Sequence, residues 1–219
     1  MPVSREAIAK AIAEMKGKSE KRKFNQSVEV AVKLRELDLK RPEQRINESL
    51  ELPTAASKDV KVAVIAGGDL AVRARNAGAD IVIGKEDLDK MAREKKQARK
   101  IAQSYDFFVA EAPLMPQVSK SLGQMLGPRG KMPTPIPPTA PIDDILKRQR
   151  RNVRLKMKDQ PVIQTRVGTE DMPDDVLVQN IQTVISRLES KLEKGAKNIK
   201  SVAVKTTMGP LVKVETTQV

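Results

Sequence analysis

The 219-residue chain contains no cysteine, no histidine and no tryptophan. Those absences remove disulfides, thiolate nucleophiles, zinc and haem ligation, and the commonest general base. Magnesium chemistry on carboxylates stays open in principle, but no dense Asp/Glu cluster invites it. Aromatic residues are only 2% of the chain: Phe24, Tyr105, Phe107 and Phe108. Three of the four crowd into one apolar run and read as core, so no platform for stacking single-stranded bases is expected. No apolar run approaches the length of a membrane span, and residues 1–6 lack the apolar centre of a signal peptide, which points to a cytoplasmic chain. Positive charge is what the chain has in excess. Lys and Arg number 41 against 28 Asp and Glu, a formal net charge of +13. Such an excess favours a polyanionic partner, nucleic acid before an anionic membrane surface.

The length allows one large domain or two modest ones. Residues 4–15 read as a helix with Ser4 as N-cap, Gly17 past its end, and an apolar stripe at Ile8, Ala11, Ile12 and Met15. From Val28 the pattern alternates, with Val28, Val30, Val32 and Leu34 inward, as in a half-buried strand. A polar loop over 38–45 leads to a second short alternating run, 46–52. The middle differs. Val60–Ala66, Ile81–Gly84 and Phe107–Ala110 are nearly continuous apolar runs, separated by helical stretches over 69–77 and 86–103, which predicts a parallel sheet covered on both faces. A further helix is expected over 114–125. Five prolines between 133 and 141 are expected to forbid regular structure there. Residues 142–151 read as a basic helix. Alternation then returns around 153–157 and 162–168, followed by the strongest helix, opened by Pro173, and two closing strands at 199–204 and 211–214. The economical arrangement is an α+β domain built from both termini, 1–58 and 156–219, with an α/β domain, 59–155, inserted between its parts. The two crossings, near 53–60 and 152–158, would form a double hinge.

The segment Lys205-Thr206-Thr207-Met208-Gly209-Pro210 lies between the closing strands, and its Gly-Pro pair marks a turn. It displays an amine, two hydroxyls and a flexible apolar side chain. No catalytic chemistry needs that set, whereas the sugar and phosphate edges of a folded RNA suit it. A plain hairpin turn is the alternative. Ala66-Gly67-Gly68-Asp69 has the place of a nucleotide-binding turn but lacks Gly-x-Gly-x-x-Gly, and no Gly-Lys-Ser/Thr loop is present, so an enzyme reading starts low.

Three stretches, Phe24-Asn25-Gln26-Ser27-Val28-Glu29-Val30, Leu126-Gly127-Pro128-Arg129-Gly130-Lys131-Met132-Pro133 and the Lys205–Pro210 turn, together resemble the ribosomal protein L1 family of the large subunit. The loop Leu37–Pro42 and the lack of an N-terminal extension look like its archaeal form. The resemblance runs end to end. It implies a Rossmann-like inserted domain and an RNA contact on the discontinuous one. Carried over by motif, that contact comprises Lys23, Phe24, Ser27 and Glu29, with Arg166 and Gly168, and Thr206, Thr207, Met208 and Gly209. Lys33, Arg41, Arg45 and Lys205 are added for their charge and nearness in sequence. Phe24 has a core or hinge-lining alternative, and Gly168 could serve only a turn. The resemblance implies a structural, non-enzymatic protein without cofactor, monomeric when free and bound to no membrane. Its partners would be the stalk region of large-subunit rRNA in the ribosome, exit-site tRNA, whose release it would assist, and its own mRNA, whose translation it would repress. Off-ribosome RNA regulation remains the rival function.

Charge is unevenly spread over these segments. Residues 1–60 hold 13 basic and 10 acidic side chains, residues 61–155 hold 18 and 10, and residues 156–219 hold 10 and 8. The inserted domain is therefore expected to supply diffuse phosphate attraction, and the discontinuous one a few exact contacts.

Overall fold

A computed structural model describes residues 3–37, 44–57, 59–157 and 160–215. The chain divides into two compact units, residues 1–57 with 151–219, and residues 58–150. Of the two crossings, residues 58 and 158–159 lie outside the described residues, as does Arg41 with the rest of 38–43.

The first unit is built on an antiparallel sheet of order β10-β9-β1-β8, from β1 (Ser27–Leu34), β8 (Val162–Thr169), β9 (Ile199–Thr206) and β10 (Val212–Lys213). Alternation decides its faces. Val28, Val30, Val32 and Leu34 are buried and meet α1 (Arg5–Lys18) and α8 (Asp174–Lys191) in one core. The helices pack against each other through stripes such as Ile8, Ile12 and Met15 on α1 and Leu177, Ile181 and Leu188 on α8. Glu29, Ala31 and Lys33 point the other way. A separate antiparallel ribbon joins β2 (Asn47–Glu51) to β7 (Asn152–Lys156). β7 therefore belongs to this unit, and residues 151–155 move out of the inserted segment to which their sequence position assigned them.

The second unit is a parallel sheet of order β4-β3-β5-β6, comprising β3 (Val62–Ile65), β4 (Ile81–Ile83), β5 (Phe107–Glu111) and β6 (Thr134–Ile136). Ala63, Ile65, Phe108 and Ala110 face α3 (Lys85–Arg93), α4 (Lys95–Ser104), α5 (Met115–Ser121) and α6 (Gly123–Leu126). Val62, Val64 and Val109 face α2 (Gly68–Asn76) and α7 (Ile142–Arg151). Burial on both faces explains the continuous apolar runs. The molecule is thus a mixed fold, one antiparallel α+β unit and one doubly covered parallel α/β unit.

Four local expectations need correction. Gly17 lies inside the last turn of α1, which ends at Ser19 in an extended conformation. The 86–103 helix is two helices broken at Glu94, because an unbroken helix would place Lys95 on the apolar stripe between Met91 and Ala98. The 114–125 helix is interrupted at Leu122 between α5 and α6. The proline tract does contain a strand, β6, and Pro135 is tolerated there because β6 is an edge strand.

Charge also redistributes with the observed boundary. The first unit holds 24 basic and 17 acidic residues, +7, and the second 17 and 11, +6. The expected concentration on the inserted domain reflected the misplaced Arg151 and Arg154. What survives is local. Lys90, Arg93, Lys95, Lys96, Arg99 and Lys100 are all exposed on α3 and α4, and none forms an ion pair among the described residues.

Candidate nucleic-acid interface

Three strand ends converge at one edge of the antiparallel sheet: the start of β1 and the finish of both β8 and β9. The convergence follows from antiparallel pairing, which sets Ser27 opposite Thr169 and Val28 opposite Gly168 and Thr206. A bulge in β8 follows, since Val28 faces Gly168 while Glu29 faces Arg166, leaving Val167 extra. Val167 and Gly168 are consequently both buried.

Outside, one row crosses the sheet, Arg166 to Glu29 to Lys205. Lys205 Nζ stands 3.9 Å from Glu29 Oε2, and both side chains are 35% exposed. An ion pair this open contributes about 0–1 kcal/mol, so its effect is to aim the lysine rather than to hold the sheet. Arg166 Nε is buried and has no hydrogen-bond partner among the described residues. The row thus presents two cations around one carboxylate, with donor capacity to spare.

Beyond the row, the 207–211 turn folds back over the start of β1. Thr207 N donates to Ser27 O at 3.0 Å, and Ser27 N donates to Thr207 Oγ1 at 3.1 Å. Met208 N donates to Gln26 Oε1 at 3.1 Å, and Gly209 N to Thr206 O at 3.2 Å. With these groups fixed, three large apolar side chains stand outward beside the exposed Thr207. Met208 is 62% exposed, Leu211 52% and Phe24 53%. The core alternative for Phe24 is therefore wrong. Exposed Lys21 and Lys23 precede it, and neither makes a hydrogen bond or ion pair among the described residues. The half-buried Ser27 hydroxyl likewise has no partner among them.

The structure thus brings together Lys23, Phe24, Ser27, Glu29, Arg166, Gly168, Lys205, Thr206, Thr207, Met208 and Gly209, but not all as surface. Thr206 is fully buried, its hydroxyl 2.8 Å from that of Ser19. Of the two threonine hydroxyls expected to face sugar, that of Thr206 is turned inward to Ser19, whereas Thr207 is exposed and bonds the Ser27 backbone. Gly168 is buried, and a Cβ there would collide with Leu177 Cδ2 and approach Met172 Sδ to 3.0 Å. A Cβ on Gly209 would strike Thr206 Oγ1 and reach 3.3 Å from Ser19 Oγ. Neither glycine has a positive φ, so both are needed for close approach rather than for the left-handed conformation. Lys33 does not join the cluster. It lies six residues along β1 from Ser27, roughly 20 Å at strand rise. Arg45 precedes β2, on the ribbon.

Sequence reasoning missed Gln26, Ser19 and Glu170. Gln26 was detectable: it continues the inward phase of Val28, Val30 and Val32, and an amide on a buried face must be bonded. In the second unit, the Gly67–Gly68 turn offers its first amide to Glu111 Oε2 at 3.0 Å. A carboxylate at that helix start disfavours a nucleotide phosphate.

Residues 15–210 match the model of the ribosomal protein L1p/L10e family. The chain is 48% identical over 207 residues to the large ribosomal subunit protein uL1 of Methanothermobacter thermautotrophicus, covering 94% of this chain and 98% of that protein. It is 49% identical over 216 residues to uL1 of Pyrococcus abyssi, covering 98% of each. For Archaeoglobus fulgidus uL1 the identity is 42% over 214 residues, with 98% and 100% covered.

Proposed function

Because the chain belongs to the ribosomal protein L1p/L10e family, we propose that it binds the stalk region of large-subunit rRNA beside the tRNA exit site through the sheet edge described above. The observation that carries this reading is the turn itself: Met208 and Phe24 stand exposed, the amides of Thr207, Met208 and Gly209 are held within the protein, and Lys23, Lys205 and Arg166 flank them. A rigid edge of apolar, main-chain and cationic groups suits ribose and phosphate in a folded RNA, where shape and backbone are read rather than stacked bases. On the ribosome this contact would place the protein to assist release of deacylated tRNA. A similar RNA fold in its own messenger would compete for the same edge and repress translation.

The second unit contributes less selectively in this reading. Lys95, Lys96, Arg99 and Lys100 repel one another at helical spacing, and opposing acids are few, so a phosphate backbone relieves a cost the free protein carries. Binding of the whole chain to a stalk-type rRNA fragment and to an unrelated stem-loop, each across a salt series, tests both parts. The fragment is expected to bind at least about 1,000-fold tighter than the stem-loop. Replacing the four α4 cations by glutamine is expected to flatten the slope of log affinity against log salt by roughly 0.7–0.9 for each phosphate that is no longer neutralised. Equal binding of both RNAs refutes the specific site, and an unchanged slope refutes the role of α4.

A further inference from the structure

Gln26 carries no charge and touches no solvent, yet it joins every segment that builds the interface. Its Nε2 donates to Glu20 O at 2.9 Å and to Ser19 Oγ at 3.2 Å, and its Oε1 accepts from Met208 N at 3.1 Å. Its backbone N donates to Glu170 Oε1 at 3.2 Å, and its O accepts from Glu170 N at 3.0 Å. One residue therefore ties the end of α1, the turn after β9 and the turn after β8. The amide orientation is forced, since Met208 N can only donate and Glu20 O can only accept. The Ser19 hydroxyl passes the connection on to Thr206, whose side chain Gly209 must skirt.

We propose that Gln26 is a positioning residue for RNA binding: its side-chain amide holds the Met208–Gly209 turn in its binding arrangement before RNA arrives. The inference rests on the RNA-binding reading above and deepens it. Without the amide, Met208 N and Glu20 O lose their partners and the turn gains conformers, only a fraction of which present Met208 correctly. Affinity then falls by that fraction, although Gln26 itself never meets the ligand.

A matched residue separates positioning from mere stability. Asn198 is also a buried amide, at the opposite end of the same β1–β9 pair, where its Oδ1 accepts from Lys194 N and its Nδ2 donates to Arg35 O. Gln26→Ala and Asn198→Ala are compared in the full chain, well below their unfolding temperatures, with Gln26→Met as a volume-preserving variant should the alanine fail to fold. Both amide losses are expected to lower the thermal midpoint. Only the Gln26 variants are expected to weaken binding to a stalk-type rRNA fragment, by about tenfold, and to speed hydrogen exchange at the Met208 and Gly209 amides of the free protein by a similar factor. Rapid exchange with binding within twofold of wild type overturns the inference, as does unchanged exchange. Failure of the wild type to bind the fragment overturns the RNA reading beneath it. The exchange comparison, made without RNA, tells those failures apart.

Discussion

Gly209→Ala is expected to weaken binding to a stalk-type rRNA fragment by about 100-fold, or ~2.7 kcal/mol. The added carbon would sit on Thr206 Oγ1 and press on Ser19 Oγ at 3.3 Å. Neither hydroxyl can retreat. Thr206 is β-branched, fully buried and stiff at χ1, and Ser19 is held from the other side by Gln26. The turn must therefore open, breaking the Gly209 N to Thr206 O bond and carrying Met208 away from its place above β1. Stability should fall by only about 1–2 kcal/mol, because the turn is exposed and the core beneath it is intact. A binding titration beside a denaturant melt distinguishes the two quantities. Unchanged affinity beside a lowered stability would mean that the turn matters only for folding.

Gly168→Ala should behave in the opposite way, costing about 3 kcal/mol of folding stability, the upper end of overpacking penalties. Its Cβ would overlap Leu177 Cδ2, a fully buried side chain on α8, and crowd Met172 Sδ at 3.0 Å. The β8 bulge fixes the backbone there, so neither strand nor helix can give way locally. The clash has a specific remedy. Combined with Leu177→Ala, the substitution should cost less than the two single changes summed, since the deleted side chain makes the room. Strict additivity in urea melts would show that the conflict lies elsewhere. Provided the protein is folded, Gly168→Ala should leave RNA affinity nearly unchanged, a result that would take Gly168 out of the contact surface its motif implies.

The sheets were legible in the sequence because burial imposes period two on β1 and β9 and unbroken apolarity on β3 and β5. The break at Glu94 was less visible, since its one signal is Lys95 on the stripe between Met91 and Ala98, and a lone lysine there can also reach solvent from an unbroken helix. Lys33 illustrates a different limit. Nearness in sequence means proximity in a helix or a turn, whereas along a strand each residue adds about 3.3 Å, and six of them leave the site. The threonines show a third. Hydroxyls in a turn are equally apt for ligand and for backbone, and Thr206 shares the inward phase of Val202 and Val204, which removes it from the surface. Gln26 shares that kind of phase on β1 and could have been found by it.

A salt series of binding to the stalk-type rRNA fragment by wild type, Met208→Ala and Phe24→Ala probes the interface without intermediaries. Both side chains are more than half exposed, so their removal should not move the thermal midpoint. Affinity should persist at raised salt and fall by about tenfold in each variant, ~1.4 kcal/mol, if the sheet edge reads the RNA. Affinity that collapses with salt and ignores both substitutions would rule that edge out, leaving only diffuse attraction between a basic protein and phosphate.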